Sequence, residues 1–141
     1  MKFKTEVMTV STEGPYDLID ITSRVREFAR HSDVTNGIIN ISSPHTTASV
    51  RVNEKCDELK KDLFEFLQKL APREGKYAHN VIALDGRPNA HSHLLSFLVP
   101  RAETLILKDG EVVLGSWQSV FFLDLDGPRK ERKINFYAMG E

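Results

Sequence analysis

About eight short segments with strand-like patterns, separated by turn-forming residues, most constrain how this 141-residue chain can fold. Each is either an alternation of polar and apolar residues or a short β-branched run, and both patterns are typical of strands. They lie at residues 2–10, 38–42, 48–53, 81–84, 104–107, 112–114, 117–125 and 133–137. Asp109-Gly110 between two of them is suited to a tight hairpin.

Two or three helices interrupt these strands. Residues 57–70 carry leucine and phenylalanine at helical spacing with charges opposite, and Pro72 and Gly75 follow. Shorter helices are expected after Asp20 and over residues 89–98. The pattern predicts an α+β fold, mostly an antiparallel β-sandwich, in a single domain spanning residues 1–141.

The composition excludes several classes of protein. Lys and Arg number 19 against 20 Asp and Glu, so no excess of positive charge favours nucleic-acid binding. No apolar run approaches the roughly 20 residues that span a bilayer, and the first residues lack the apolar stretch of a signal peptide. The one cysteine, Cys56, cannot form an internal disulfide. We therefore expect a cytoplasmic protein that binds neither membrane nor nucleic acid.

Four of the five histidines stand at junctions between predicted elements, where scaffolds often present functional side chains. Pro44 ends a strand abruptly before His45, and Thr46 and Thr47 supply hydroxyls beside its imidazole. Such a group suits an oxyanion or a metal ion. A polar turn whose hydroxyls satisfy exposed backbone explains the same residues equally well.

Helical geometry separates two further histidines. Leu94, Leu95 and Leu98 fall within roughly 60° of His91 around a helix over residues 89–98, whereas His93 lies roughly 160° away. His91 is therefore expected to point inward from the first helical turn, where free N–H groups suit an anion. A hydrogen-bonded core histidine is the alternative. His93 is expected to face solvent or a neighbouring subunit.

His79 is the third candidate, on the same side as Tyr77 if the strand at 81–84 begins early. Together with His45 and His91 it can form a three-nitrogen metal site with an open position. The three histidines lack the local spacing of a zinc motif, such as two histidines four residues apart on a helix.

Other polar residues have both a structural and a functional interpretation. Asp57 and Glu54 suit the N-terminus of the long helix, although Asn53 and Glu54 would face a pocket if their strand ends beside His45. Trp117 beside Gln118 either walls a site or fills a core. A basic run at residues 129–133 is either a solvated face or a means of steering a phosphorylated ligand.

Several of these motifs together resemble the YjbQ-like family, which is also labelled secondary thiamine-phosphate synthase. The match runs in order from about Lys2 to Tyr137. Its motifs are Ser43-Pro44-His45-Thr46-Thr47-Ala48-Ser49, Asn53-Glu54, Asp57, Asp62, Tyr77, His79, Asn89-Ala90-His91, Leu114-Gly115-Ser116-Trp117-Gln118 and Asp126-Gly127-Pro128-Arg129. The chain departs from common family patterns at His93, where many relatives have Lys, and at Ser116 and Ser119.

The resemblance implies a trimeric assembly and a histidine pocket between subunits. It also implies weak thiamine-phosphate synthase activity, which joins a pyrimidine pyrophosphate to a thiazole phosphate and releases pyrophosphate. We predict His45, His79 and His91 as catalytic residues and as ligands of a divalent metal, zinc or magnesium. The residues expected to bind the phosphorylated substrate are Thr46, Thr47, Asn53, Glu54, Asn89, Trp117 and Gln118.

Two alternative functions remain open from the sequence. The first is a metal-dependent hydrolase of another phosphorylated small molecule, with a histidine-bound water and Glu54 or Asp57 as base. The second is a non-catalytic protein that binds a ligand or a metal ion. The chain has no aspartate-rich magnesium motif, which disfavours efficient transfer from a pyrophosphate.

Overall fold

A computed structural model describes residues 1–141 and contains eight strands and four α-helices. In chain order the elements are β1 Lys2–Thr12, β2 Asp17–Asp20, α1 Thr22–Arg30, β3 Gly37–Ser42, β4 Ala48–Asn53, α2 Asp57–Leu70, α3 Ala78–Val81, α4 Ala90–Leu98, β5 Ala102–Lys108, β6 Glu111–Val112, β7 Ser119–Asp124 and β8 Arg129–Gly140. The predicted α+β class is confirmed, with one helix more than expected.

The strands form two antiparallel sheets. The larger has five strands in the order β1-β8-β3-β5-β6, and the smaller has three in the order β2-β7-β4. The Asp109-Gly110 turn joins β5 to β6 as predicted, with both residues at positive φ. β1 and β8 come from opposite ends of the chain and pair along almost their whole length. The large sheet is therefore complete only when the last strand of the chain has paired.

Two apolar clusters organise the molecule into layers. The larger cluster lies between the two sheets and includes Ile41 of β3, Phe122 of β7 and Phe136 of β8. The smaller cluster packs helices against the opposite face of the small sheet, through Leu67, Leu95, Leu123 and Leu125. β7 is therefore buried on both faces, which explains its continuous apolar sequence Val120–Leu123.

The region after α2 differs most from the sequence prediction. Residues 81–84 do not form a strand, because the short helix α3 occupies Ala78–Val81 and turns follow it. Conversely, the sequence pattern did not predict β2, a four-residue edge strand that follows Gly14-Pro15. Short apolar runs do not distinguish strand from helix by periodicity, and both errors fall on runs of this length.

The apolar faces of α2 and α4 are only partly covered. Leu67 of α2 and Leu95 of α4 are buried, whereas Leu59, Phe66, Leu70, Leu94 and Leu98 are exposed. A groove of about 490 Å³ runs between α2 and the small sheet. No helix is long and apolar enough to cross a membrane.

Candidate functional site

One end of the small sheet gathers most of the predicted polar residues. Asp124 at the end of β7 pairs in register with Ala48 at the start of β4, so the 45–47 loop meets the 124–129 turn. Within this turn, Leu125 N donates a hydrogen bond to Thr47 O at 3.0 Å. The loop before α4 and the start of β8 reach the same turn through the side-chain contacts described below.

A buried ion pair lies at the centre of this end. Arg132 donates to both carboxylate oxygens of Asp124, at 2.6 and 3.1 Å, and to Thr47 Oγ1 at 2.8 Å. Thr12 Oγ1 also donates to Asp124, at 2.6 Å. All four residues are buried. The predicted ligand-binding role of Thr47 therefore competes with a structural one, since its hydroxyl already accepts a bond from Arg132.

The position of the His45 proton follows from its backbone contact. Lys133 N donates to His45 Nε2 at 2.8 Å, so Nε2 carries the lone pair and neutral His45 is protonated at Nδ1. Burial, and then the nearby Arg132 charge, lower the pKa of His45 and favour this neutral form. His45 can therefore donate a hydrogen bond through Nδ1, while its Nε2 is already engaged.

Asp126 is the second anionic centre, two residues after Asp124. Its carboxylate accepts hydrogen bonds from Asn89 at 2.8 Å, Arg129 at 2.8 Å and Arg87 at 3.3 Å. Burial alone would raise the pKa of Asp126, but the hydrogen bonds from Asn89 and Arg129 and the charge of Arg87 bring it below its ordinary value. Asp126 therefore stays ionised and acts only as an acceptor.

The Asp126 carboxylate fixes the orientation of the Asn89 side chain, and Asn89 in turn fixes the tautomer of His79. Because Asn89 Nδ2 donates to Asp126, Asn89 Oδ1 is the atom that faces His79 Nε2, at 3.3 Å. An amide oxygen only accepts, so neutral His79 is protonated at Nε2 and has its lone pair on Nδ1. The structure therefore places the predicted residue Asn89 between Asp126 and His79.

His91 is buried, as the helical pattern predicted, and its tautomer is also fixed by a neighbour. Ser92 Oγ donates to Leu125 O at 2.6 Å, so the same oxygen can only accept from His91 Nε2 at 3.0 Å. The lone pair of neutral His91 is then on Nδ1, which is buried and has no hydrogen-bond partner. Burial, and then the charge of Arg73, lower the pKa of His91.

Tyr16 lies against His91, with ring centres 6.3 Å apart. Its hydroxyl is likewise buried without a partner, and burial raises its pKa. The sequence did not indicate Tyr16 or Asp124 as site residues, and it marked Arg132 only as part of the basic run at residues 129–133. Their roles depend on contacts between distant segments, and only the basic run and the motif that contains Asp126 drew attention to this region.

The remaining predicted residues lie elsewhere in the chain. Asn53 pairs with Ser119 at the opposite end of β4, five residues or roughly 17 Å from Ala48. Asn53 and Glu54 line the groove beside α2, and Trp117 is 75% exposed. Gln118 accepts a hydrogen bond from Gly115 N within its own turn. Within one chain, these residues do not join the histidines.

Thr46 lies next to His45 and is exposed, so its hydroxyl faces solvent at the histidine end. Among all the predicted ligand-binding residues, Thr46, Thr47 and Asn89 are the ones placed with the histidines. Their proposed contacts with a substrate stay predictions.

The three predicted metal ligands do not fit one shared ion in this arrangement. His45 Nε2 accepts the Lys133 N–H and its Nδ1 carries a proton, so neither nitrogen offers a lone pair to a metal. No group of three or more His, Cys, Asp or Glu side chains is arranged to hold a metal ion.

Comparison with known proteins is consistent with this architecture. The model of the UPF0047 protein YjbQ-like family matches residues 6–141. The chain belongs to the YjbQ-like family. A UPF0047 protein of Methanothermobacter thermautotrophicus is 38% identical over 132 residues, covering 94% of this chain and 90% of the relative. UPF0047 protein YugU of Bacillus subtilis is 31% identical, covering 88% and 91%.

Two solved structures share the whole fold with this chain. A crystal structure of a YbjQ-like protein of unknown function from Sulfolobus solfataricus superposes with a TM-score of 0.94 at 32% identity, covering 99% of both chains. A hypothetical protein from Aeropyrum pernix gives 0.91 at 35% identity, covering 98% of this chain and 99% of the other. The family that the motifs indicated is thereby confirmed, and its function is not established by these relatives.

Proposed function

We propose that this YjbQ-like protein is an enzyme acting on a phosphorylated small molecule, by a transfer of the thiamine-phosphate synthase type. The observation that carries the proposal is the charge at the histidine end. Three guanidinium groups, of Arg87, Arg129 and Arg132, surround the two carboxylates of Asp124 and Asp126. The resulting net positive charge favours an anionic group at this end.

In this reaction the bond between the pyrimidine methylene carbon and the pyrophosphate oxygen breaks, and pyrophosphate leaves with the bonding electrons. The thiazole ring nitrogen then forms the new C–N bond. The step needs stabilisation of the leaving pyrophosphate more than a strong base. His45 Nδ1–H suits this role as a neutral donor, with the exposed Thr46 hydroxyl beside it and Arg129 supplying charge.

The unpartnered lone pair of His91 favours a second candidate, hydrolysis of a phosphorylated small molecule. A buried neutral imidazole with a free Nδ1 can accept a proton from an attacking water, whereas the transfer reaction has no need of a base. The water oxygen would bond to the methylene carbon as the bond from that carbon to the pyrophosphate oxygen breaks. Pyrophosphate leaves with the bonding electrons, and the water proton passes to His91 Nδ1. The two reactions differ in product, so one assay distinguishes them.

We further propose that the protein acts as a homotrimer whose neighbouring copy completes the pocket. The support is an exposed apolar surface on α3, the turns that follow it and α4, next to the histidine end. We name it the α3–α4 surface, consisting of Val81, Ile82, Leu84, Phe97 and Leu98. Trp117 lies far from the histidines of its own chain. A neighbouring chain that packs on this surface can bring its own Trp117 close to these histidines.

The test is incubation of untagged protein with the pyrimidine pyrophosphate, with and without the thiazole phosphate, in buffer containing Mg²⁺. We expect thiamine phosphate and pyrophosphate in equal amounts when both substrates are present. His45→Ala should lower the rate by about 10²-fold or more, as loss of a transition-state donor does. His31→Ala, at the exposed end of α1, is the matched control and should retain the rate.

Pyrophosphate and the pyrimidine alcohol formed without the thiazole phosphate would support hydrolysis instead, provided that His91→Gln removes them. If the wild type gives no product above a control without protein, both reactions are excluded for these substrates. Thermal stabilisation by the pyrimidine pyrophosphate without turnover would then identify a binding protein.

A further inference from the structure

His93 is not one of the three histidines predicted as site residues. Together with His79 it forms the closest pair of imidazole rings in the molecule. His93 on α4 meets His79 on α3 with ring centres 4.9 Å apart and ring planes 75° apart. His79 is exposed and His93 is half-buried, so the pair is open to solvent on one side. The helical pattern predicted that His93 points away from His91, towards solvent or a neighbouring subunit. In the structure, α3 places His79 next to His93.

We propose that His79 and His93 together bind one divalent transition-metal ion of the zinc class. Two imidazoles that share a tetrahedral zinc at about 2.0–2.1 Å have ring centres roughly 5 Å apart. The observed 4.9 Å matches this separation. Imidazole is a preferred ligand of zinc, copper and nickel, and water would complete the coordination.

The hydrogen-bond chain behind His79 supplies a lone pair for such an ion. Asp126 holds Asn89, and Asn89 Oδ1 accepts from His79 Nε2, which leaves Nδ1 unprotonated. Metal-binding histidines characteristically donate their other ring N–H to a carboxylate or a carbonyl, which orients the ring. Asn89 and Asp126 are both buried, so this support is part of the packed structure.

His93 provides the second lone pair, because every neutral imidazole keeps one unprotonated nitrogen. The site differs from the three-histidine set in that it does not require His45, whose nitrogens are both unsuited to a metal. With two protein ligands, it is expected to bind zinc reversibly and more weakly than a closed structural site. It is also independent of the proposed transfer reaction, since it needs no substrate.

The test is titration of Zn²⁺ into untagged protein in competition with a chromophoric chelator. We expect one zinc per chain in the wild type. His79→Ala and His93→Ala should each weaken binding by about tenfold or more, because the ion then keeps one protein ligand. His31→Ala changes an exposed histidine that directly follows α1; it is the control and should bind zinc like the wild type.

A further variant, at Asn89, tests the residue that supports His79 without changing either proposed zinc ligand. Asn89→Ala removes the acceptor behind His79 and should weaken zinc binding about 10- to 100-fold, as loss of such partners does. Because Asn89 is buried, its folding is checked by circular dichroism. If Asn89→Ala fails to fold, the variants His79→Ala and His93→Ala still test the proposal.

Nitrogen NMR of the histidine rings identifies the ligands directly. Zinc should shift the Nδ1 resonance of His79 and one resonance of His93, and leave His45 unchanged. Equal affinity in wild type and His93→Ala would overturn the proposal, as would zinc-induced shifts confined to His45 or His91. Absence of binding at millimolar Zn²⁺ would show that the two rings are simply packed edge to face.

Discussion

At the scale of single residues, the structure assigns different chemical roles to side chains of the same type. His45 presents a donor at Nδ1, whereas His79 and His91 present lone pairs at Nδ1. The difference comes from neighbours that can only donate or only accept: a backbone N–H, an amide oxygen oriented by Asp126, and a hydroxyl committed to Leu125 O. The sequence identifies the histidines but not these partners, which come from segments up to 88 residues away.

Protonation of His91 is expected to destabilise the fold. Its pKa is lowered in the folded chain, so the unfolded chain binds more protons at mildly acidic pH. This part of the stability is fully present above the unfolded pKa of about 6.5 and is lost as the pH falls through the lower folded pKa. Urea unfolding from about pH 8 to about pH 5 should show a falling midpoint.

The matched variant isolates this contribution. His91→Gln retains a donor for Ser92 but cannot titrate, so its midpoint should fall less with pH than that of the wild type. His31→Gln should keep the full wild-type dependence, since His31 is exposed at the end of α1. A wild-type midpoint that rises towards acidic pH would contradict the assignment, and so would identical slopes for wild type and His91→Gln.

The buried pair of Arg132 and Asp124 makes a second prediction at this scale. Arg132→Leu would leave Asp124 buried without its counter-charge, and such losses cost about 3–5 kcal/mol. Chemical denaturation should report this loss as a lower midpoint. Arg30→Leu, which breaks the exposed pair with Glu111, is the control and should leave the midpoint unchanged. Similar small effects for both variants would show that Asp124 is solvated in solution.

At the scale of elements, the sequence predicted where the helix α2 begins and ends, but not how much of its apolar face other elements cover. The helix α2 occupies residues 57–70 as predicted, because its periodicity extends over four turns and a proline follows. Five of its apolar residues share the predicted helical spacing, yet only Leu67 is fully buried. Periodicity identifies which residues share a face, but only the packing of other elements decides how much of that face is covered.

This distinction can be measured with two leucines of α2. Leu67 is 2% exposed within the smaller apolar cluster, whereas Leu70, one turn further along, is 50% exposed. Leu67→Ala should lower the free energy of unfolding by about 2–5 kcal/mol through lost burial and a cavity. Leu70→Ala should cost clearly less, as measured by urea unfolding of both variants. Equal losses would mean that Leu70 is also covered in solution.

At the scale of the whole molecule, strand register decides which predicted residues meet. The motifs around His45, Asn89 and Asp126 were selected separately, and the pairing of β4 with β7 brings the first and last to one end. The same register sends Asn53 and Trp117 to the other end. Strand order and register depend on contacts across the whole chain, so local patterns did not reveal this division.

Trimer formation is the prediction that belongs to this scale. If a neighbouring copy covers the α3–α4 surface, Phe97→Asp should prevent association, because it places a charge where an apolar ring, 88% exposed in one chain, would be buried. Light scattering after size exclusion should give about 48 kDa for wild type, from three chains of 16.0 kDa, and one chain for the variant. Ile106→Asp, on the outer face of the large sheet, should stay trimeric. Dissociation by Ile106→Asp with an intact Phe97→Asp trimer would place the interface on the sheet, and the Trp117 end would then need another route to the histidines.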